Sequence, residues 1–179
     1  MKLSTLALSL GLLYSLPQLC GLFNPRAFAN GARKFSRSEF TGYLLMGLGT
    51  LWFLYNVSIE NISDFANYKT PMLIGFGAVG FFTCIFVRDF LAVRGLAVVL
   101  LMLAQLVLET ARWHDSQWRL VLSVWAYVWI LAGIWFIISP WRLRDILEWL
   151  TANEIRIRVG SALRLALGLL VFGLGLFVF

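Results

Sequence analysis

Residues 139–179 read SPWRLRDILEWLTANEIRIRVGSALRLALGLLVFGLGLFVF, and two patterns in this stretch decide the fold. From 159 to 179 the chain is apolar apart from a single charge, Arg164. At 1.5 Å per helical residue, that run is long enough to cross about 30 Å of hydrocarbon. In the segment before it, Leu143, Ile146, Leu147 and Leu150 fall on one face of a helix while Arg144, Asp145 and Glu148 fall on the other. This is the pattern of a helix lying in the headgroup plane. Ser139 followed by Pro140 predicts its start, with the serine as capping side chain and the proline at the first helical position, where a missing N–H costs little.

Working outward, five more apolar runs precede this one, at 3–23, 40–57, 71–87, 91–108 and 118–139. With 60% of residues apolar and 13% charged, and a mean hydropathy of +0.82, most of the chain is unsuited to a water-facing surface. The alternation of a membrane β-barrel is absent, and backbone groups in lipid must be satisfied within each segment, so the spans are expected to be helices. The connections are short and contain no low-complexity tract. The reading is therefore all-α: one transmembrane domain over 1–179, a polytopic bundle of six spans arranged as three hairpins at about 3–57, 71–108 and 118–179. The first span reads as a retained helix and not a cleaved signal, because SLPQLCGLF, residues 15–23, lacks small residues at the spacing a signal peptidase needs.

The basic residues set an orientation. Connections after spans one, three and five carry Arg26, Arg33, Lys34, Arg37, Arg88, Arg94, Arg142, Arg144, Arg156 and Arg158, whereas the opposite side carries Lys2, Lys69, Arg112 and Arg119. Basic loops stay cytoplasmic, so both termini are expected to face the periplasm. The net charge of +6 is accounted for by such loops beside anionic headgroups and needs no nucleic acid.

A second Pro-initiated segment, Asn24-Pro25 with Phe28, Ala32 and Phe35 on one face, predicts a second short interfacial helix, and the pair suggests a repeat. A shift of 119 residues places Arg37 on Arg156, Gly42 on Ser161, Gly49 on Gly168 and Phe53 on Phe172. Small residues recur at sevenfold spacing in the even-numbered spans: Gly42 and Gly49, then Ala97, Ala104 and Ala111, then Ser161, Gly168 and Gly175. In lipid, small side chains let helix backbones approach, so these positions predict a tightly packed inner group of spans two, four and six.

The stretch 138–179, with its SPWRLRDIL start, its basic segment EIRIRVG and its glycine-rich ending LALGLLVFGLGLF, resembles a family of short bacterial inner-membrane proteins of unknown function, built of two spans joined by an amphipathic connection. Residues 13–54 resemble the same pattern. The resemblance implies a bacterial inner-membrane location and carries no catalytic activity.

Residues for chemistry are sparse. His114 is the sole histidine and sits in a polar connection, so paired haem ligands and a Ser-His-Asp relay lack parts. Cys20 and Cys84 are isolated, and no zinc-type spacing or phosphate-binding glycine loop occurs. Arg164 is an intramembrane charge, expected to lean toward the cytoplasmic end of its helix and reach the headgroups. Trp118, Trp125, Trp129 and Phe136 share one face of span five, expected to pack against another helix or acyl chains. No cofactor or metal is expected. The expected role is that of a non-catalytic accessory or structural subunit of a bacterial membrane complex, whose partners are lipids and other membrane subunits or copies of itself. The alternative is a small transporter or channel, for which Thr50 and Gln105 are the polar residues on offer.

Overall fold

The computed structural model describes residues 2–60 and 68–179, and among them every regular element is helical. Eight helices follow in order: α1 (Leu3–Phe23), α2 (Pro25–Ser36), α3 (Glu39–Ile59), α4 (Lys69–Phe86), α5 (Leu91–Arg112), α6 (Arg119–Ile138), α7 (Trp141–Leu150) and α8 (Glu154–Phe177). Six of these, all but α2 and α7, are long and apolar enough to cross a membrane.

Polar side chains set several boundaries. The Asn24 side chain accepts from the Ala27 amide at 3.2 Å, with Pro25 in the first turn of α2. Ser38 accepts from Thr41 at 3.3 Å to open α3, and Asn153 accepts from Ile155 at 3.2 Å to open α8. The expectation for Ser139 is corrected: no side chain caps α7, and Pro140 precedes it with φ −66° and ψ −24°. Ser139 instead closes α6, its amide donating to the Trp135 carbonyl at 2.8 Å. Asn24 does both at the α1–α2 junction, its amide donating to the Cys20 carbonyl and its side chain capping α2; at the α6–α7 junction it is Pro140, already in helical φ and ψ, that directly precedes α7. The span helices also outrun their apolar cores. α8 begins at Glu154, so Arg156 and Arg158 lie within it, and α5 continues to Arg112. Helical hydrogen bonding does not stop where the apolar run ends.

The pairing of spans differs from three sequential hairpins. α1 packs antiparallel along α8, α3 runs parallel to α5 and antiparallel to α4, and α5 pairs antiparallel with α6. The reason is partly one of length. α2 and α7 stand between the spans of the first and third expected hairpins, and their 12 and 10 residues extend about 18 and 15 Å, well beyond the 8–10 Å of a packed helix pair. In the middle, the turn before α5 ends on Phe90 at φ 55°, a left-handed conformation that bulky residues seldom adopt, and α3 packs against both α4 and α5.

One core joins four helices: Leu3, Leu6 and Ala7 of α1, Ala104, Val107 and Ala111 of α5, Leu122, Trp125 and Ala126 of α6, and Val171 and Leu174 of α8. A smaller cluster of Val93, Ala97 and Phe136 sits beneath α7 and receives Leu143 and Ile146 from it. The apolar face of α7 is thereby divided. Two residues go to this cluster, Leu147 faces toward α2, and Leu150 faces α8. In α2, Pro25, Ala29 and Ser36 are buried and Phe28, Ala32 and Phe35 are half-buried, leaving Arg26, Arg33, Lys34 and Arg37 outside.

Candidate functional site

The end of the bundle that carries α2 and α7 gathers much of the basic charge. Arg26 Nε and Glu154 Oε1 lie 2.9 Å apart, an exposed pair joining α2 to the first turn of α8. Arg33 donates from Nε to Thr151 Oγ1 at 3.2 Å and from Nη2 to the Thr151 carbonyl at 3.3 Å, joining α2 to the C-cap of α7. Between the two short helices opens a cleft of about 670 Å³, lined by Arg33, Lys34, Arg37, Arg144, Leu147 and Glu148 among others. Arg144 is neutralised locally, with Nη2 2.9 Å from Asp145 Oδ1 and Nε 3.9 Å from Glu148 Oε1. Lys34 and Arg37 form no ion pair among the described residues, and the acceptors of Arg33 are neutral.

The sevenfold small residues lie at helix seams, but not in one group of spans two, four and six. A Cβ on Gly42 would stand 2.9 Å from the Ala92 amide nitrogen, and one on Gly49 2.8 Å from Val98 Cγ1, so α3 meets α5 there. The alanines of α5 face elsewhere: Ala97 lies opposite Gly133 of α6, and Ala104 and Ala111 belong to the four-helix core. On α8, Ser161 meets Gly21, Gly168 meets Ser15, and Gly175 meets Leu8 and Ala7, all on α1. Matching stripes on α3 and α8 therefore have non-matching partners. The expected inner group fails because each stripe is used against a different neighbour.

Sequence reading missed the other half of the α1–α8 seam. Ala7, Gly11 and Ser15 recur every fourth residue, and all three are buried. A Cβ on Gly11 would lie 2.7 Å from the Phe172 amide nitrogen. The signal was a small-residue stripe with a period of four, visible in the sequence beside the sevenfold ones. Gly95 of α5 was missed too, though a Cβ there would lie 2.6 Å from the Met46 amide nitrogen.

Arg164 points back along its own helix. Its Nε donates to the Gly160 carbonyl at 2.9 Å and its guanidinium carbon stands 5.9 Å from the centre of the Phe28 ring of α2. It has no carboxylate partner among the described residues. Gln105 is not isolated: it accepts from Asn56 Nδ2 of α3 at 3.3 Å and donates to Glu109 Oε1 at 2.7 Å. Thr50 abuts Gly80 of α4. Of the aromatic face on α6, Trp125 and Phe136 are buried, and Trp125 meets Tyr14 edge-on at 5.0 Å, while Trp118 is exposed. His114 accepts from the Ser116 amide at Nδ1, 3.2 Å, with its ring edge-on to Phe179 at 5.1 Å. Cys20 is exposed and Cys84 half-buried, both as free thiols. Among the described residues no three His, Cys, Asp or Glu side chains come together to hold a metal.

The arrangement offers cations at one end, close helix seams along the spans and one short amide–carboxylate chain. Comparison with family models, with curated proteins and with solved structures matches nothing to this chain.

Proposed function

We propose that this chain is a multi-pass bacterial inner-membrane protein acting as a non-catalytic accessory or structural subunit through helix packing and lipid contacts. The observation that carries the reading is the position of α4. This 18-residue apolar helix rests on α3 and buries only Gly80 among its residues. Phe76, Phe81, Phe82 and Phe86 are exposed along it. A helix held on one side alone offers the rest of its surface to lipid or to another membrane helix, and aromatic side chains contribute large contact areas when such a surface is covered. The resemblance of residues 138–179 to short bacterial inner-membrane proteins supports the location.

The test is extraction in a mild detergent followed by native mass measurement. A stable stoichiometric partner, or a defined oligomer of the chain, supports the reading. A lone chain of 20.3 kDa that moves a solute across reconstituted vesicles overturns it. That second outcome is the transporter reading, and the polar chain Asn56–Gln105–Glu109 between α3 and α5 is the observation in its favour, because transport needs polar groups within the spans.

A further inference from the structure

We propose that the cleft between α2 and α7 is a binding site for the phosphate headgroup of one anionic phospholipid, with Lys34 and Arg37 as its principal contacts. The inference requires that the bundle lie in a bilayer, but not that it have a protein partner, so it stands apart from the subunit reading.

The charge balance carries the first part. Four cations and one carboxylate line the cleft. Arg144 is cancelled by Asp145 and, at longer range, by Glu148. Arg33 is held in place by Thr151 but keeps its charge, because a hydroxyl and a carbonyl neutralise nothing. Lys34 and Arg37, one helical turn apart and both exposed, are not paired by any carboxylate among the described residues. The cleft therefore holds an uncompensated positive charge, with Arg33 positioned by Thr151. Guanidinium and ammonium groups in such a place favour phosphate oxygens, by forked hydrogen bonds from arginine and as a point charge from lysine.

The surroundings select the source of the phosphate. Leu147 and Ala152 give the cleft an apolar portion. One turn beyond Arg37, the exposed apolar stripe of α3 begins with Phe40 and continues through Leu44 and Leu51. A headgroup phosphate at Arg37 thus lies at the end of a helix face on which acyl chains can rest. A second groove on α7, of about 320 Å³ and lined by Trp149, Leu150, Ile155, Val159 and Leu163, carries Arg156 at 5.1 Å from the Trp149 ring. A cationic cleft with an apolar portion on one side of α7 and an apolar groove carrying Arg156 on the other fit a membrane amphiphile better than a soluble anion, which would use only the cations.

The test is native mass spectrometry of the detergent-purified protein incubated with phosphatidylglycerol, with phosphatidylcholine, or with inorganic phosphate. Phosphatidylglycerol should be retained in preference to phosphatidylcholine. The double variant Lys34→Gln plus Arg37→Gln should bind it roughly thirtyfold more weakly, as expected for losing two cations beside an anionic surface. The charge-matched control Lys2→Gln plus Arg112→Gln, at the other end of the bundle, should leave retention unchanged. Equal retention of the two lipids, an unchanged double variant, an equal loss in the control, or displacement of the lipid by inorganic phosphate would each overturn the proposal. Where the double variant does not elute as a single species, Arg37→Gln alone decides, with weakened retention expected and unchanged retention against the proposal.

Discussion

Arg33 and Thr151, separated by 118 residues in sequence, are joined by two hydrogen bonds that fix α2 against the end of α7. Thr151 is 5% exposed, and its hydroxyl also donates to the Leu147 carbonyl at 2.7 Å. The threonine thus closes its own helix and receives the arginine.

Arg33→Ala should lower stability by about 1 kcal/mol, the net worth of a charge-assisted pair discounted for the exposed guanidinium. Thr151→Val should cost a similar amount, because it removes the hydroxyl's bonds with Arg33 Nε and with the Leu147 carbonyl but leaves the Thr151 carbonyl to accept from Arg33 Nη2. The double variant should cost less than the sum of the two, since both lose the bond from Arg33 Nε to Thr151 Oγ1. Thermal unfolding in a mild detergent measures all three, and strict additivity would show that the contact contributes nothing.

The α1–α8 seam predicts a contrast between glycines on one helix type. Gly11→Ala would force a methyl against the backbone of Phe172 and Gly168, and should destabilise the fold by about 1–3 kcal/mol. Gly173→Ala, with open space at its Cβ, should be neutral or slightly stabilising, since alanine is the better helix former. The same contrast holds between Gly95 and Gly47. Equal midpoints for the two members of either pair would argue against close backbone approach at these seams.

The extent of each helix was largely legible in the sequence, because apolar runs and capping residues act locally. Asn24-Pro25 opens α2 as expected, since both the cap and the fixed φ belong to neighbouring residues. At Ser139-Pro140 the same signal yields no side-chain cap, because Pro140 itself, in helical φ and ψ, precedes α7 while Ser139 closes α6. Pairing was not legible. Gly42 and Ser161 coincide under the 119-residue shift, yet one meets α5 in parallel and the other meets α1 in antiparallel. A small residue announces that some backbone will come close without saying whose. Thr151 was likewise invisible as a contact of Arg33, because nothing local distinguishes a threonine that closes a helix from one that also receives an arginine.

Arg164→Leu should leave the fold nearly intact. Among the described residues, the one hydrogen bond of its side chain goes to the Gly160 carbonyl in its own helix, and the Phe28 ring lies near the outer limit of a cation–π contact. Removing it exposes no buried carboxylate among the described residues, so the large cost of a broken buried pair does not arise. A change of less than about 1 kcal/mol in detergent is expected. Loss of assembly on this substitution would instead reveal a polar partner for Arg164 within the membrane.

The last prediction concerns orientation, which follows from the basic residues and from where the fold puts them. The fold divides the molecule into two ends. At one, Lys2, Leu3 and Ser4 lie with Thr110, His114 and Phe179 around a common hollow, which brings the two termini and the α5–α6 connection together. At the other lie α2, the end of α7 and the start of α8, with Arg26, Arg33, Lys34, Arg37 and Arg144 among their basic residues. Retaining the basic end in the cytoplasm is favoured by the membrane potential and the insertion machinery, and it predicts that both termini face the periplasm. Reporter fusions after Arg33 and after Glu154 should therefore behave as cytoplasmic, and a fusion in the connection at His114 should behave as periplasmic. Activity of a periplasm-dependent reporter at Arg33 or Glu154 would reverse the assignment. It would also remove the cleft between α2 and α7 from the anionic cytoplasmic leaflet, so the lipid binding proposed there would have to be tested against the outer leaflet instead.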